Sequence, residues 1–146
     1  MSTDDALPRP SLFRAALLAL GGTQAFLGLY ALISPLGFYE DFPLGRGWVA
    51  ALPSYSEHLV RDIGGLFLLS GAVLIAAGIY LGRRLVAIAL GSFLLFSVPH
   101  TLFHYLNFEP YETADVIINV IGLGGQVLIP IGLLVLLARS PASGRG

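Results

Sequence analysis

Residues 85–107 read LVAIALGSFLLFSVPHTLFHYLN. From 85 to 106 the run holds no Asp, Glu, Lys or Arg. As an α-helix rising about 1.5 Å per residue, it is long enough to cross a hydrocarbon core of about 30 Å. Its last part is Ser97-Val98-Pro99-His100-Thr101-Leu102-Phe103-His104-Tyr105-Leu106-Asn107. His100 and His104 are four apart, so on a helix they differ by about 40° around the axis and share a face. Ser97 lies one turn before His100, and Asn107 about one turn after His104. Pro99 loosens the backbone just ahead of the first histidine. The stretch predicts a spanning helix whose final turns form one wall of a polar site near a membrane surface.

Three more runs share this character, at about 12–34, 57–80 and 113–137. The chain of 146 residues is 55 % hydrophobic and 12 % charged. Its mean hydropathy is +0.80. That balance belongs to an integral membrane protein. The expected fold is all-α: one domain over 1–146, an antiparallel four-helix bundle running up-down-up-down. Cysteine is absent, which excludes disulfides, thiolate metal sites and cysteine nucleophiles. All eight basic residues are arginine, so a Schiff-base lysine is excluded as well. No basic run points to nucleic acid.

Along the chain, residues 1–11 read as a short polar tail. Asp4 and Asp5 do not resemble the basic front of a signal peptide, so the run that follows is kept as a span. In that span Gly21, Gln24, Gly28 and Ala31 share a small, weakly polar face of the kind that meets another helix. Pro35 is expected to end it. Residues 35–56 form the one long loop, with Phe38, Tyr39, Phe42, Trp48 and Tyr55 among Glu40, Asp41 and Arg46. Aromatics at this density belong at a membrane–water boundary. Pro43, Gly45, Gly47 and Pro53 prevent a regular helix across the whole loop. Either a lid over the bundle or an interfacial anchor fits.

The second span opens Glu57-His58-Leu59-Val60-Arg61-Asp62, where Glu57/Arg61 and His58/Asp62 are spaced for i,i+4 pairing. Gly64, Gly65, Ser70 and Gly71 follow, and Gly78-xxx-Gly82 is a weak close-approach motif. In the fourth span Asp115, Asn119, Gly122 and Gln126 form a polar stripe to about mid-depth. Residues 138–146 read as a flexible tail.

Arg9, Arg14, Arg83, Arg84, Arg139 and Arg145 fall at one end, and only Arg46 and Arg61 at or near the other. The positive-inside rule then puts both termini in the cytoplasm of a multi-pass cell-membrane protein. Seven of the nine carboxylates and all three histidines fall at the outer end. Charge inside hydrocarbon costs about 2.5–3.5 kcal/mol per group. Arg61, Asp62, His100 and Asp115 are therefore expected to face the bundle interior, Arg61 pairing with Asp62 or Asp115.

Several readings of this end stay open. His100 and His104 suit a metal ion or haem, with His58, Glu57 or Asp115 completing the shell. Thr101 stands where a metalloprotease needs Glu, so that motif is absent. General acid–base work on a lipophilic small molecule would use His100 and His104 with Asp62 and Arg61. Gln24, Ser70, Asn119 and Gln126 would line the pocket beneath, or else only bond helix to helix. The plainer alternative hydrogen-bonds both histidines to Asp62 or Asp115. In function, the leading expectation is an outward-facing His/carboxylate site, of oxidoreductase type if catalytic. The alternative is a non-enzymatic accessory or scaffold subunit, as a homo-oligomer or in a membrane complex. A proton-coupled transporter is third, and the lack of polar residues below Gln24 and Gln126 argues against it.

The stretches Tyr39-Glu40-Asp41-Phe42-Pro43, Glu57-His58-Leu59-Val60-Arg61-Asp62 and Pro99-His100-Thr101-Leu102-Phe103-His104, followed by Asp115, resemble a family of small bacterial four-span membrane proteins. Its members are mostly described as hypothetical or of unknown function, so the resemblance supplies no established activity. The likeness runs from about 28 to 137. Members often carry a further histidine soon after the second, where this chain has Asn107 and Phe108, a departure that weakens a metal reading. A looser similarity in architecture links the chain to DoxX-like four-helix proteins, some tied to quinone-dependent respiration. The resemblance implies the same fold and points to the same residues.

Overall fold

A computed structural model describes residues 7–52 and 54–140. Five helices follow in order: α1 (Pro10–Ile33), α2 (Pro35–Asp41), α3 (Glu57–Tyr80), α4 (Arg83–Leu106) and α5 (Thr113–Arg139). The described residues contain no strand. All but α2 are long and apolar enough to cross a membrane. The fold is therefore the expected all-helical bundle, and the chain is a multi-pass membrane protein. Arg145 and the outermost parts of both expected tails lie outside the described residues, as does Pro53.

Local chemistry sets the helix ends. Pro10 opens α1, where the missing N–H is not needed. Ser56 caps α3 by accepting a hydrogen bond from the Leu59 N–H, and Glu57 sits favourably in its first turn. Leu81, in the left-handed region, turns the chain out of α3, and Gly82 leads into α4. Gly82 is thus a turn residue, and only Gly78 of the expected pair packs against a helix, at Leu17 and Leu18. Pro35 does not simply end the first span. The chain breaks at Ser34, and Pro35 begins α2, so the long loop starts with a short helix that the Pro/Gly pattern did not reveal.

Pairing is antiparallel throughout. On α1 and α3, Leu17 meets Gly78, Gly21 meets Gly71 and Ile75, and Gly28 meets Gly64 and Leu68. A Cβ on Gly28 would stand 2.7 Å from both the Gly64 carbonyl oxygen and the Leu68 nitrogen. Only glycine lets the two backbones come this close. All four residues of the predicted small face (Gly21, Gln24, Gly28 and Ala31) are buried.

Between α3 and α4, Phe67 and Phe96 meet edge-on with ring centres 5.4 Å apart. Side chains reach the neighbouring backbone between α4 and α5. Thr101 donates to the Leu123 carbonyl at 3.2 Å and Tyr105 to that of Val120 at 2.8 Å. Arg83 reaches the carbonyls of Leu137 and Ser140. That spends its charge on the otherwise unpaired acceptors of a helix C-terminus.

The core falls into two clusters. One, at the arginine end, centres on Phe13, Leu17, Leu74, Leu90 and Phe93. The other, at the histidine end, is built from Ala31, Phe38 and Phe67, with Phe42, Val49 and Phe96 against it. Outward faces carry Phe26, Leu69, Leu95, Ile121 and Leu128, as spans in lipid require.

Candidate functional site

The long loop closes over the histidine end. A ladder of rings runs from Tyr30 to Phe38 (5.5 Å), Phe42 (5.2 Å) and Trp48 (6.2 Å). The Trp48 N–H donates to the Phe42 carbonyl at 2.7 Å, folding the loop back on itself. This needs positive φ at Gly45 and Gly47, backbone that glycine adopts without strain. Two contacts then tie the loop to the far side of the bundle. Arg46 forms an ion pair with Asp115 in the first turn of α5. The Tyr111 hydroxyl donates to the Trp48 carbonyl at 2.8 Å. Burial raises the Tyr111 pKa above the ordinary phenol value, which keeps the hydroxyl protonated and able to donate.

A second set of ring contacts runs along α4, starting at Phe96, which packs against the cluster of Ala31, Phe38 and Phe67. Phe96 stacks on His100 at 5.0 Å, and His100 meets His104 edge-on at 4.7 Å. The four-residue spacing therefore puts both imidazoles on one face. Both are half-buried. His104 Nδ1 is buried with no hydrogen-bond partner, as are Ser97 Oγ one turn below His100 and Trp48 Nε1 in the cap. Neither imidazole hydrogen-bonds to a carboxylate. This corrects the plain alternative, because both carboxylates have other partners: Asp62 is held by His58 and Asp115 by Arg46.

The first turns of α3 also depart from expectation. Arg61 and Asp62 do not face the interior: their side chains are 45 % and 56 % exposed, and that of His58 is 89 % exposed. Arg61 pairs with Glu57 at 2.8 Å, and also donates to the Leu32 carbonyl at 2.6 Å. It pairs with neither Asp62 nor Asp115. The reason is helical phase. Val60, Ile63, Gly64 and Phe67 face the core, so 57, 58, 61 and 62 turn outward. At a helix end these charges reach water, which removes the penalty that argued for burial.

The residues expected as a metal shell (His58, Glu57, His100, His104 and Asp115) do not form one group. Among the described residues no three His, Asp or Glu side chains are placed to hold an ion. Asn119 is buried on the α5 stripe and donates to the Asp115 carbonyl at 3.2 Å, within its own helix. Asn107 likewise donates to the Phe103 carbonyl at 2.7 Å, closing the end of α4.

Deeper in, Gln24 donates to the Gln126 side chain at 3.3 Å. This is the interhelical bond that the sequence offered as the plainer role for the two. The pair bridges α1 and α5 beside a cleft of about 360 Å³ lined by Ala16, Leu20, Thr23, Gly122 and Gly125. Arg46, Trp48 and Tyr111, which hold the cap together, were not among the expected site residues. Their one signal in the sequence is the aromatic density of the loop. Comparison with protein-family models, curated proteins and solved structures gives no match.

Proposed function

We propose that this membrane protein binds a lipophilic small molecule at its histidine end, with the polar part of that molecule on His104 and His100 beneath the aromatic cap. The observation that carries the reading is the buried, partnerless Nδ1 of His104. A buried polar atom without a hydrogen bond costs about 1–3 kcal/mol, and a ligand hydroxyl or carbonyl would relieve that cost. The surroundings suit such a molecule: Phe96 and Phe103 flank the two imidazoles. Two neighbouring imidazoles can also hold or pass a proton at a ligand oxygen, so acid–base or oxidoreductase-type chemistry belongs to the same proposal. Arg9, Arg14, Arg83, Arg84 and Arg139 crowd the opposite end, and under the positive-inside rule that bias supports an outward-facing site.

Native mass spectrometry of the full chain purified in mild detergent tests this, wild type beside His104→Phe. Phenylalanine keeps the ring and removes the nitrogens. The expected result is a neutral adduct retained by wild type and reduced about tenfold in the variant, the loss of one hydrogen bond. Equal retention, or no adduct in either protein, would leave the scaffold reading, in which His104→Phe changes only thermal stability.

A further inference from the structure

The α1–α5 seam holds a second polar feature, distinct from the histidine end. Gln24 is 1 % exposed, yet its Oε1 has no hydrogen-bond partner. The bond to Gln126 uses only one end of the amide. Exchanging the oxygen and nitrogen positions of the two amides would leave the other end of Gln24 free instead. Gln24 lies nine residues before the end of α1 at Ile33. That is about 14 Å below the histidine end by helix rise, near mid-depth in a core of about 30 Å.

The cleft beside it opens sideways between the two helices. It is lined by alanine, leucine and glycine, with no charged residue. Thr23, at its edge, already donates to the Ala19 carbonyl at 2.9 Å. Gly122 faces empty space, with nothing within 4 Å of where a Cβ would stand.

We infer that this cleft binds an uncharged lipophile bearing a hydroxyl, whose chain lies between α1 and α5 and whose hydroxyl bonds to the free end of the Gln24 amide. A hydroxyl both donates and accepts, so it satisfies either orientation of that amide. A charged headgroup is excluded by depth and by the uncharged lining. The volume of about 360 Å³ lies in the range of small-molecule pockets, roughly 300–1,000 Å³. A helix of a second copy is about 10–12 Å across, and the outward faces of the spans present mainly Leu, Ile, Val and Phe, which leave Gln24 unsatisfied.

The test uses the full chain in phosphatidylcholine nanodiscs with two photoprobes: a long-chain primary alcohol carrying a diazirine on its chain, and the matched alkane. Labelling by the alcohol should concentrate around Thr23 and Gly122–Gln126, exceeding the alkane by about fivefold or more, as one hydrogen bond allows. Gln24→Leu should bring the alcohol down to the alkane level. Gly122→Leu should block both probes without loss of stability, and it decides the matter if Gln24→Leu fails to fold. His104→Phe should leave the labelling unchanged, which separates this site from the one at the histidine end. Equal labelling by the two probes, labelling spread evenly over the lipid-facing residues, or a cross-link joining two copies through the cleft would overturn the inference.

Discussion

Helix α1 has two seams, and they are built in opposite ways. Against α3 it is closed by shape: a Cβ placed on Gly21, Gly28, Gly64 or Gly71 would stand within about 3 Å of the other helix's atoms, and no gap is left. Against α5 it is bridged by polarity: one amide pair crosses beside an open cleft. The lipid-facing side of a span gains nothing from hydrophobic burial, so helices associate by close packing or by hydrogen bonds. The first makes a rigid seam, and the second leaves room. The cap over the histidine end belongs to the second kind, tied down by the Arg46–Asp115 pair and the Tyr111 bond to Trp48.

The sharpest way to break this comparison is to place the same methyl group in each seam. Gly28→Ala drives a Cβ to 2.7 Å from α3 backbone, and overpacking of this kind should cost about 2–3 kcal/mol. Gly122→Ala meets nothing within 4 Å and should stabilise by about 0.5–1 kcal/mol, the helical preference of alanine over glycine. Reversible denaturation in mixed micelles reads both. Similar effects at the two positions would erase the distinction.

Arg46→Met comes next. It strands a nearly buried Asp115, but the arginine is 44 % exposed and partly screened by solvent. The loss should be about 1 kcal/mol, largely recovered by adding Asp115→Asn. Trp48 is the only tryptophan, so its emission reports cap opening directly. A blue-shifted, unchanged spectrum in Arg46→Met would show that the pair does not hold the cap.

Tyr111 gives a pH signature of similar or smaller size. Its pKa is raised in the folded protein, so its contribution is complete below the ordinary phenol value and is lost as pH rises through the folded value. Ionised, the oxygen no longer donates to the Trp48 carbonyl. Trp48 emission should therefore shift with a midpoint above 10.0, and Tyr111→Phe should remove that transition. A midpoint at or below the ordinary value would contradict the assignment. The smallest expected effect is the coupling of Gln24 and Gln126. A double-mutant cycle with leucine at both positions should give about 0.6 kcal/mol, typical of hydrogen bonds between spans.

How far the fold could be read in advance follows from which forces are local. The four spans are legible because each is a long apolar run whose few charges sit near its ends, and all four start within two residues of expectation. The α1 face of Gly21, Gln24, Gly28 and Ala31 is legible because its period is helical. The outward turn of Glu57, His58, Arg61 and Asp62 was missed although Val60, Ile63 and Phe67 carried the phase. The cost of charge in hydrocarbon points these residues inward, but the apolar stripe beside them sets the helical phase and the helix end lets them reach water. Arg46 and Asp115 are 69 residues apart, and nothing local in either stretch names the other. Their meeting depends on how the loop folds back at Gly45 and Gly47, a matter of backbone turns. His100 and His104 were brought together by spacing alone. Which of their nitrogens would be left without a partner depended on carboxylates being taken by Arg46 and His58.

The most direct test of the account is the nitrogen-15 resonance of His104 Nδ1 in full-length protein, first stripped of lipid-soluble molecules and then exposed again to the extract removed from it. A ligand held by His104 predicts a free-nitrogen shift in the stripped protein that moves to a hydrogen-bonded value when the extract returns, with His100 perturbed alongside. A His104 Nδ1 that is already hydrogen-bonded in the stripped protein, or that does not respond to the extract, would contradict it.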